Sequence, residues 1–304
     1  MSLLFDRKWK LTIITFRGTV IEVHEGLRVT FRVEKNINRT LQLAEVSIYN
    51  LSAETETDIF KNAAIVILEA GYQNDLYGQI FRGEVRQTIR GKESPTDYFL
   101  KLICIAGDEV MNLSFCSAVL SGSLKAKQIA EQIARSSRPA FDIQIRGELS
   151  EQQLQAPKVI YGKAYDVLRS LAINNNANLY VDDNGSTVIS TLSQHPPASV
   201  PELNAQSGLI GFPHQTDQGI SFRSLINPRI ALDSWVKLNN SSIIQAQIDL
   251  GVPQTLLDLD GLYRVINIVI TGDTRGNEWY YDIDAVNQDG GLASIVTDRG
   301  QNGL

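Results

Sequence analysis

GDTRGNEWYY, Gly272 to Tyr281, lies between the apolar run YRVINIVIT and the run DIDAV near the end of the chain. Its flanks decide how it reads. After it, Trp279, Tyr281, Ile283 and Ala285 alternate with Tyr280, Asp282 and Asp284. Before it, Tyr263, Val265 and Val269 alternate with Arg264, Ile266, Ile268 and Ile270. A period of two is that of a strand with two unlike faces. Gly272 to Asn277 is then the tip joining two strands, not a ligand loop. Asp273 and Arg275 are placed to pair across it, a contact worth well under about 1 kcal/mol if exposed. Trp279 packs over the hairpin base.

The first third of the chain carries the same period. In LRVTFRV the apolar Leu27, Val29, Phe31 and Val33 alternate with Arg28, Thr30 and Arg32. HEG, His24 to Gly26, supplies a turn before it. LAEVSIYN sets Ala44, Val46 and Ile48 against Glu45, Ser47 and Tyr49. AAIVILEAGY, LYGQIFRGEVRQTIRG and DYFLKLICIAGD follow, with Gly78, Gly83 and Gly91 read as turns or bulges. One short helix interrupts them. Ser52 is its N-cap, Glu54 and Glu56 lie near its first turn, and Ile59 and Phe60 face inward.

The middle third changes period. SLKAKQIAEQIARSS, Ser123 to Ser137, places Ala126, Ile129, Ala130 and Ile133 on one helical face, and Pro139 stops it. KAYDVLRSLAINNNANLYV carries Ala164, Val167, Leu168, Leu171 and Ala172 at amphipathic helix spacing, ending at Asn174 to Asn176. LYVDDNGSTVIST is a hairpin turned by Asp183-Asn184-Gly185, residues that tolerate positive φ. HPPASVP, His195 to Pro201, reads as a linker. Strands resume in GLIGFP, GISFRSLI, SWVKL, SIIQAQIDL and the last hairpin. The tail NQDGGLASIVTDRGQNGL is polar and Gly-rich, and is expected to be loosely held unless a partner fixes it. The fold class is mainly β with an α+β insert. Two β-barrel or sandwich domains, residues 1–112 and 201–290, flank a mixed domain with two helices at 113–200; residues 291–304 form the tail.

Chemistry is harder to find. The three histidines, His24, His195 and His214, share no helix face with one another or with a carboxylate at metal-ligand spacing. No phosphate loop or nucleophile elbow is present. Asp182/Asp183 and Asp258/Asp260 lack the ligand spacing of a calcium loop and read as solvated turn carboxylates. Glu131 sits on the polar side of its helix, with no carboxylate placed across a cleft from it. Cys104 and Cys116 match no zinc signature and read as buried thiols of a reducing compartment. No catalytic, metal or cofactor-binding residue is assigned, and no cofactor is expected. The 304 residues are 43% hydrophobic with a formal net charge of -6, against a surface that grips nucleic acid. MSLLFDRKWKLTIITF is too short in its apolar segments and too charged for a signal or a membrane span, so a chain made in the cytoplasm, without membrane contact, is expected.

LAEVSIYNLSAETETDI resembles the strand, Tyr-Asn-Leu-Ser, helix passage of tailed-bacteriophage baseplate hub proteins. GISFRSLINPRIALDSWVKLNN is similar to the stretch in which that family carries Asn-Pro, a tight turn and a Val/Leu-bearing strand. DGLYRVINIVITGDTRGNEWYYDI resembles its last hairpin, a Gly-x-Tyr strand running into Gly-Asp, a polar tip and Trp. At Ala231-Leu232-Asp233 the chain departs from the family's Pro-Gly turn.

The resemblance implies a structural protein, not an enzyme. Two tail-tube-like β domains per subunit would form a pseudo-sixfold ring from a homotrimer. The ring would join the hexameric tail tube, or a distal tail protein, to the trimeric central spike, beside other baseplate proteins. It would belong to the virion and be assembled in the host cytoplasm. The arm Met1 to Phe5 and the Gly-rich tail are candidates for docking. Genomic DNA would pass through the lumen without specific binding, which a lumen rich in Asp and Glu would favour. Two other readings compete. One is a tail-tip peptidoglycan hydrolase. The other is the hub portion of a contractile secretion-system spike, whose needle would then be a separate protein.

Overall fold

A computed structural model describes residues 6–38, 41–73, 76–191, 197, 199–216, 219–239 and 261–287. Its β-strands, in chain order, are β1 Arg7–Thr15, β2 Val20–Val23, β3 Val29–Asn36, β4 Gln42–Tyr49, β5 Ala63–Tyr72, β6 Tyr77–Lys92, β7 Tyr98–Ala106, β8 Phe115–Leu120, β9 Ser137–Arg138 and β10 Ile143–Arg146. They continue with β11 Lys158–Lys163, β12 Ala177–Val181, β13 Thr187–Thr191, β14 Glu202–Leu203, β15 Leu209–Thr216, β16 Gly219–Leu225, β17 Trp235–Leu238, β18 Leu262–Asp273 and β19 Trp279–Asn287. Helices α1, α2 and α3 span Ala53–Asn62, Ala126–Ser136 and Ala164–Asn174, and Glu109–Leu113 makes a π-helical turn.

The β-rich ends of the chain share one 13-stranded sheet, ordered β15-β16-β19-β18-β3-β4-β7-β6-β5-β1-β2, with β17 beside β18 and β14 beside β17. The order runs open from β15 to β2, so the sheet is sandwich-like and not a closed barrel. β18 is the seam. Its first half pairs β17, Trp235 lying opposite Arg264. Its second half pairs β3, Ile270 opposite Val33 and Gly272 opposite Phe31.

A bulge between Val265 and Asn267 marks the change of partner. The extra residue shifts the pleat by one. Tyr263 and Val265 face the core before it, and Ile268 and Ile270 after it, with Val269 half-exposed. The unbroken alternation expected for β18 is corrected accordingly. β19 has no such interruption. Trp279, Tyr281, Ile283 and Ala285 are all buried, and Tyr280, Asp282 and Asp284 are half-exposed.

Gly272 makes the seam possible. A Cβ built on it would lie 2.1 Å from the Phe31 ring. Its other cross-strand neighbour is Trp279. The Phe31 and Trp279 rings meet edge to face with centroids 5.4 Å apart. A glycine between two aromatic strands removes the one side chain that would hold those rings apart.

Gly78, Gly83 and Gly91 are not turns, for all three lie inside the single strand β6. The bulges of β6 fall elsewhere, between Leu68 and Glu69 in its pairing with β5 and between Val85 and Gln87 in its pairing with β7. Gly91 accommodates the ring of its cross-strand partner Phe99, just as Gly272 accommodates Phe31. The Ser52 side chain accepts the Thr55 N–H at 3.2 Å and caps α1, whose Ile59 is buried.

The middle region folds as two three-stranded sheets, β11-β8-β9 and β10-β13-β12, around α2 and α3. Sequence reading finds both helices and the β12–β13 hairpin. It misses β8, β10 and β11, strands of four to six residues, too short for an alternation of period two to stand out. Cys116, Ile133, Ile160, Leu168, Leu179 and Ile189 belong to a core of their own, while Tyr180, Val181 and Val188 of the same hairpin pack into the main core. Every residue of β13 is buried, so this hairpin is the wall between the two cores. Residues 195, 196 and 198 of HPPASVP, all of SIIQAQIDL, the arm 1–5 and the tail after Asn287 lie outside the described residues. No described helix is long and apolar enough to cross a membrane.

Gly272→Ala forces the buried Phe31 ring off Trp279. It is expected to cost about 1–3 kcal/mol, the usual range for overpacking a core, with altered tryptophan fluorescence. Gly26→Ala, where a Cβ meets nothing within 4 Å, is expected to stay within about 0.5 kcal/mol in the same urea titration.

Candidate assembly surfaces

The hairpin tip is latched rather than projecting. Asp273 takes the Arg28 guanidinium, not Arg275, with Arg28 Nη2 donating to Oδ2 at 2.8 Å. Arg275 offers Asp273 only its backbone N–H, at 2.9 Å, and sends its guanidinium to the Glu25 and Gly26 carbonyls at 3.0 Å each. The expected pair across the tip is thus replaced by contacts to the β2–β3 turn. Arg7 donates to the Gly276 carbonyl at 2.6 Å and lies 5.4 Å from the Trp279 ring centroid. Three arginines and the Thr274 hydroxyl, which accepts Val29 N–H at 2.9 Å, tie the end of the chain to its beginning. Burial alone would raise the Asp273 carboxyl. Arg28 and the Arg275 and Gly276 amides outweigh it and hold the group below the ordinary carboxylate value.

A second polar network joins the middle region to the sheet. Asp233, at φ +69° in the turn that departs from the family's Pro-Gly, is buried and forms an ion pair with the fully buried Arg264. Asp233 accepts the Ser190 hydroxyl and lies 3.4 Å from the Tyr180 hydroxyl, which takes Arg146 at 2.9 Å. Arg264 also donates to Ser190 Oγ at 3.1 Å and to the Thr191 carbonyl at 3.0 Å. Burial pushes the Tyr180 phenol upward.

Asp183 is no solvated turn carboxylate. It pairs with Lys35, whose side chain is wholly buried, and burial raises its carboxyl despite that cation. Gln42 donates to the Val181 carbonyl and Gln79 to the Asp183 carbonyl. Asp182 instead organises the turn, accepting Asn184 N–H at 3.0 Å and Ser186 N–H at 2.8 Å. Sequence reading missed Lys35, Asp233 and Arg264. A charged residue in an apolar strand, such as Arg264 in LYRVINIVI, is the signal that was there to use.

The two ends of the sheet are open among the described residues. On the β2 side Phe16 is 78% exposed and Val20 lies beside it on the edge strand, itself exposed. On the β15 side Phe212 is 64% exposed and Ile210 is also exposed. The sheet face away from the core carries charges in pairs: Lys10–Glu22, Arg32–Glu34, Lys101–Glu45 and Arg223–Asp282.

The residues weighed for chemistry are scattered. His24 is exposed in the β2–β3 turn and His214 is exposed on β15, while His195, Asp258 and Asp260 lie outside the described residues. Glu131 is 3.9 Å from Arg135 on α2. Cys104 and Cys116 are free and buried in different cores, and burial pushes the Cys104 thiol up to about 12. Among the described residues no three His, Cys, Asp or Glu side chains gather as a metal site needs.

This architecture is shared with phage tail proteins. A 43 kDa tail protein of prophage MuSo2 from Shewanella oneidensis superposes with a TM-score of 0.56 at 9% identity, over 92% of this chain and 98% of that one. A tail protein from Neisseria meningitidis MC58 gives 0.54 at 8% identity, over 92% and 96%. The E. coli c3393 protein is a component of the type VI secretion system with structural similarity to T4 bacteriophage tail proteins gp27 and gp5. It gives 0.54 at 10% identity, over 93% of this chain and 78% of that one. At these identities the likeness is one of fold. No curated protein matches by sequence. The family model for baseplate hub gp41 matches residues 10–246, and the chain belongs to that family.

Asp233→Ala leaves Arg264 buried without a counter-charge and is expected to cost about 3–5 kcal/mol in urea unfolding. Adding Arg264→Met should recover part of that loss, since an apolar pair removes the stranded charge. Asp273→Asn is expected to cost about 1–2 kcal/mol at pH 7, Arg28 being partly solvated. Its folded value lies below the unfolded one near about 3.9, so the contribution is complete above that pH and is lost as pH falls through the folded value. The parent and variant unfolding midpoints should converge on acidification.

Proposed function

We propose that this baseplate hub is a homotrimeric adaptor between a hexameric tail tube and a trimeric central spike. The β portions 1–112 and 201–290 build the ring, and the region 113–200 sits outside it. The observation that carries this reading is the pair of open sheet borders, each with an exposed aromatic and an exposed aliphatic side chain. A strand with free N–H and C=O groups and an apolar edge is an aggregation hazard unless a partner covers it. Head-to-tail pairing of β2 with β15 of the next copy covers both at once, and rotation closes the ring.

The exposed sheet face suits a conduit. Four of its cations, Lys10, Arg32, Lys101 and Arg223, are matched by carboxylates, so a wall built from that part of the face would give phosphates little to adhere to. With the net charge of -6, this favours genomic DNA passing without specific binding. The role is structural, in the virion, after assembly in the host cytoplasm. Likeness to the type VI secretion component supports a second reading, the hub of a contractile secretion spike. The two readings share the ring and differ in what passes through it.

Sedimentation equilibrium of the purified protein with its spike and tube neighbours should give three copies per complex. Phe212→Asp or Val20→Asp should abolish that complex while leaving thermal unfolding of the isolated chain unchanged. Assembly of either variant at the parent's stoichiometry would refute the edge-paired ring, and clearing on a peptidoglycan zymogram would restore the hydrolase reading.

A further inference from the structure

The small sheet β11-β8-β9 turns an apolar face to solvent. The solvated side of an antiparallel sheet is ordinarily polar. In β8, Cys116, Ala118 and Leu120 point to the middle-region core and Phe115, Ser117 and Val119 point out. In β11, Ile160 points in, while Val159 and Tyr161 are 72% and 79% exposed. The register sets Val159 opposite Val119 and Tyr161 opposite Ser117. Tyr161 meets Phe115 edge to face at 4.8 Å. Four large apolar side chains thus form one contiguous outward patch, the sort of surface that marks an interaction site.

The charge around this patch is one-sided. Lys163 lies opposite Phe115 on one flank and Arg138 on the other, and Lys158 begins β11. FCSAVL, SR and KVIYGK contain no aspartate or glutamate, although the whole chain carries -6. Among the described residues β11 also has no strand on its outer side.

We propose that this face is a docking site for an extended acidic segment of another baseplate protein. That segment adds as a fourth strand beside β11. Its apolar side chains rest on Val159 and Tyr161 of the neighbouring strand, and its flanking carboxylates reach Lys163 on the patch face and Lys158 on the other. A second copy of this chain fits worse, because a face paired with itself sets the same cations against one another. A nucleic-acid strand fits worse too, because half of the patch, the aliphatic Val119–Val159 pair, offers bases nothing to stack on and the chain carries a net charge of -6. The site lies apart from the β2 and β15 borders and stands whether or not they form a ring.

The test uses the full chain and a fluorescein-labelled decapeptide with a central Val-Thr-Phe flanked on both sides by aspartates, followed by fluorescence anisotropy. Saturable binding is expected, at least tenfold tighter than for the same peptide with lysine in place of aspartate. Val159→Thr with Tyr161→Thr, which keeps β-propensity, should weaken binding at least tenfold without moving the thermal midpoint. Lys158→Glu with Lys163→Glu should reverse the preference between the two peptides. Amide hydrogen exchange across 158–163 should slow in the complex.

No binding, equal binding of the two peptides, or unchanged binding by the threonine variant would overturn the proposal. So would stronger Tyr161-dependent binding of a single-stranded oligonucleotide, or dimerisation of the free chain that the threonine variant abolishes.

Discussion

The fold turns on the absence of one side chain. Gly272 lets Phe31 of β3 and Trp279 of β19 touch across β18. That contact lies where the last hairpin crosses onto the first strands, so the beginning and end of the chain form one sheet. The polar latch around the tip follows from the same geometry. Once β18 lies beside β3, the tip falls on the β2–β3 turn, and Arg28 and Arg275 meet Asp273 and the turn carbonyls. Loop closure over most of the chain is entropically costly, and an aromatic contact reinforced by ion pairs offsets it.

The second constraint concerns how the middle region is held. A hairpin buried on both faces must satisfy every polar group it takes out of water. β12 and β13 do so in part, through Arg264, Asp233, Ser190 and Tyr180 at one end and Lys35, Asp183 and Gln42 at the other, while Asn178 Nδ2, Thr187 Oγ1 and Thr191 Oγ1 are buried without a hydrogen-bond partner among the described residues. Such pairs contribute little net stability relative to well-packed apolar residues, but they accept only one arrangement of partners. The middle region is therefore fixed in orientation on the sheet, which a loosely sliding apolar contact would not achieve. A body that presents an outward docking face needs this fixed aim.

Much of the fold was legible because its strands are half-polar. In β3 the alternation survives untouched, and in β4 as far as Val46 and β19 as far as Ala285 burial follows it residue by residue. β18 defeats the same reasoning. A bulge leaves no trace in composition, and the phase slips at Ile266 without a proline or glycine to announce it. The strand glycines misled for a related reason. A glycine in a turn and a glycine beneath a cross-strand ring look alike until the partner strand is known, so Gly91 reveals its purpose only with Phe99 opposite. The polar networks were the least legible part. Lys35 and Asp183 are far apart in sequence, and only the sheet order makes them neighbours. The resemblance to hub proteins, by contrast, rested on local passages, and a cap such as Ser52 is legible there because it is set by backbone geometry within a few residues.

An open sheet, a neutralised outer face and an apolar patch elsewhere are parts of one division of labour. Free edges demand partners whose backbone matches strand for strand, and identical copies supply that most simply. Where lysines of the outer face hold carboxylates, as Lys10 and Lys101 do, little charge is left to attract a polyanion, which suits the proposed channel wall. What remains available for selective recognition is surface not consumed by either task. On this chain the small sheet of the middle region, basic on an acidic protein and apolar where solvent should be, is such a surface. Under the proposed assembly, separating self-association from recognition of other partners lets each interface be strong or weak without disturbing the other.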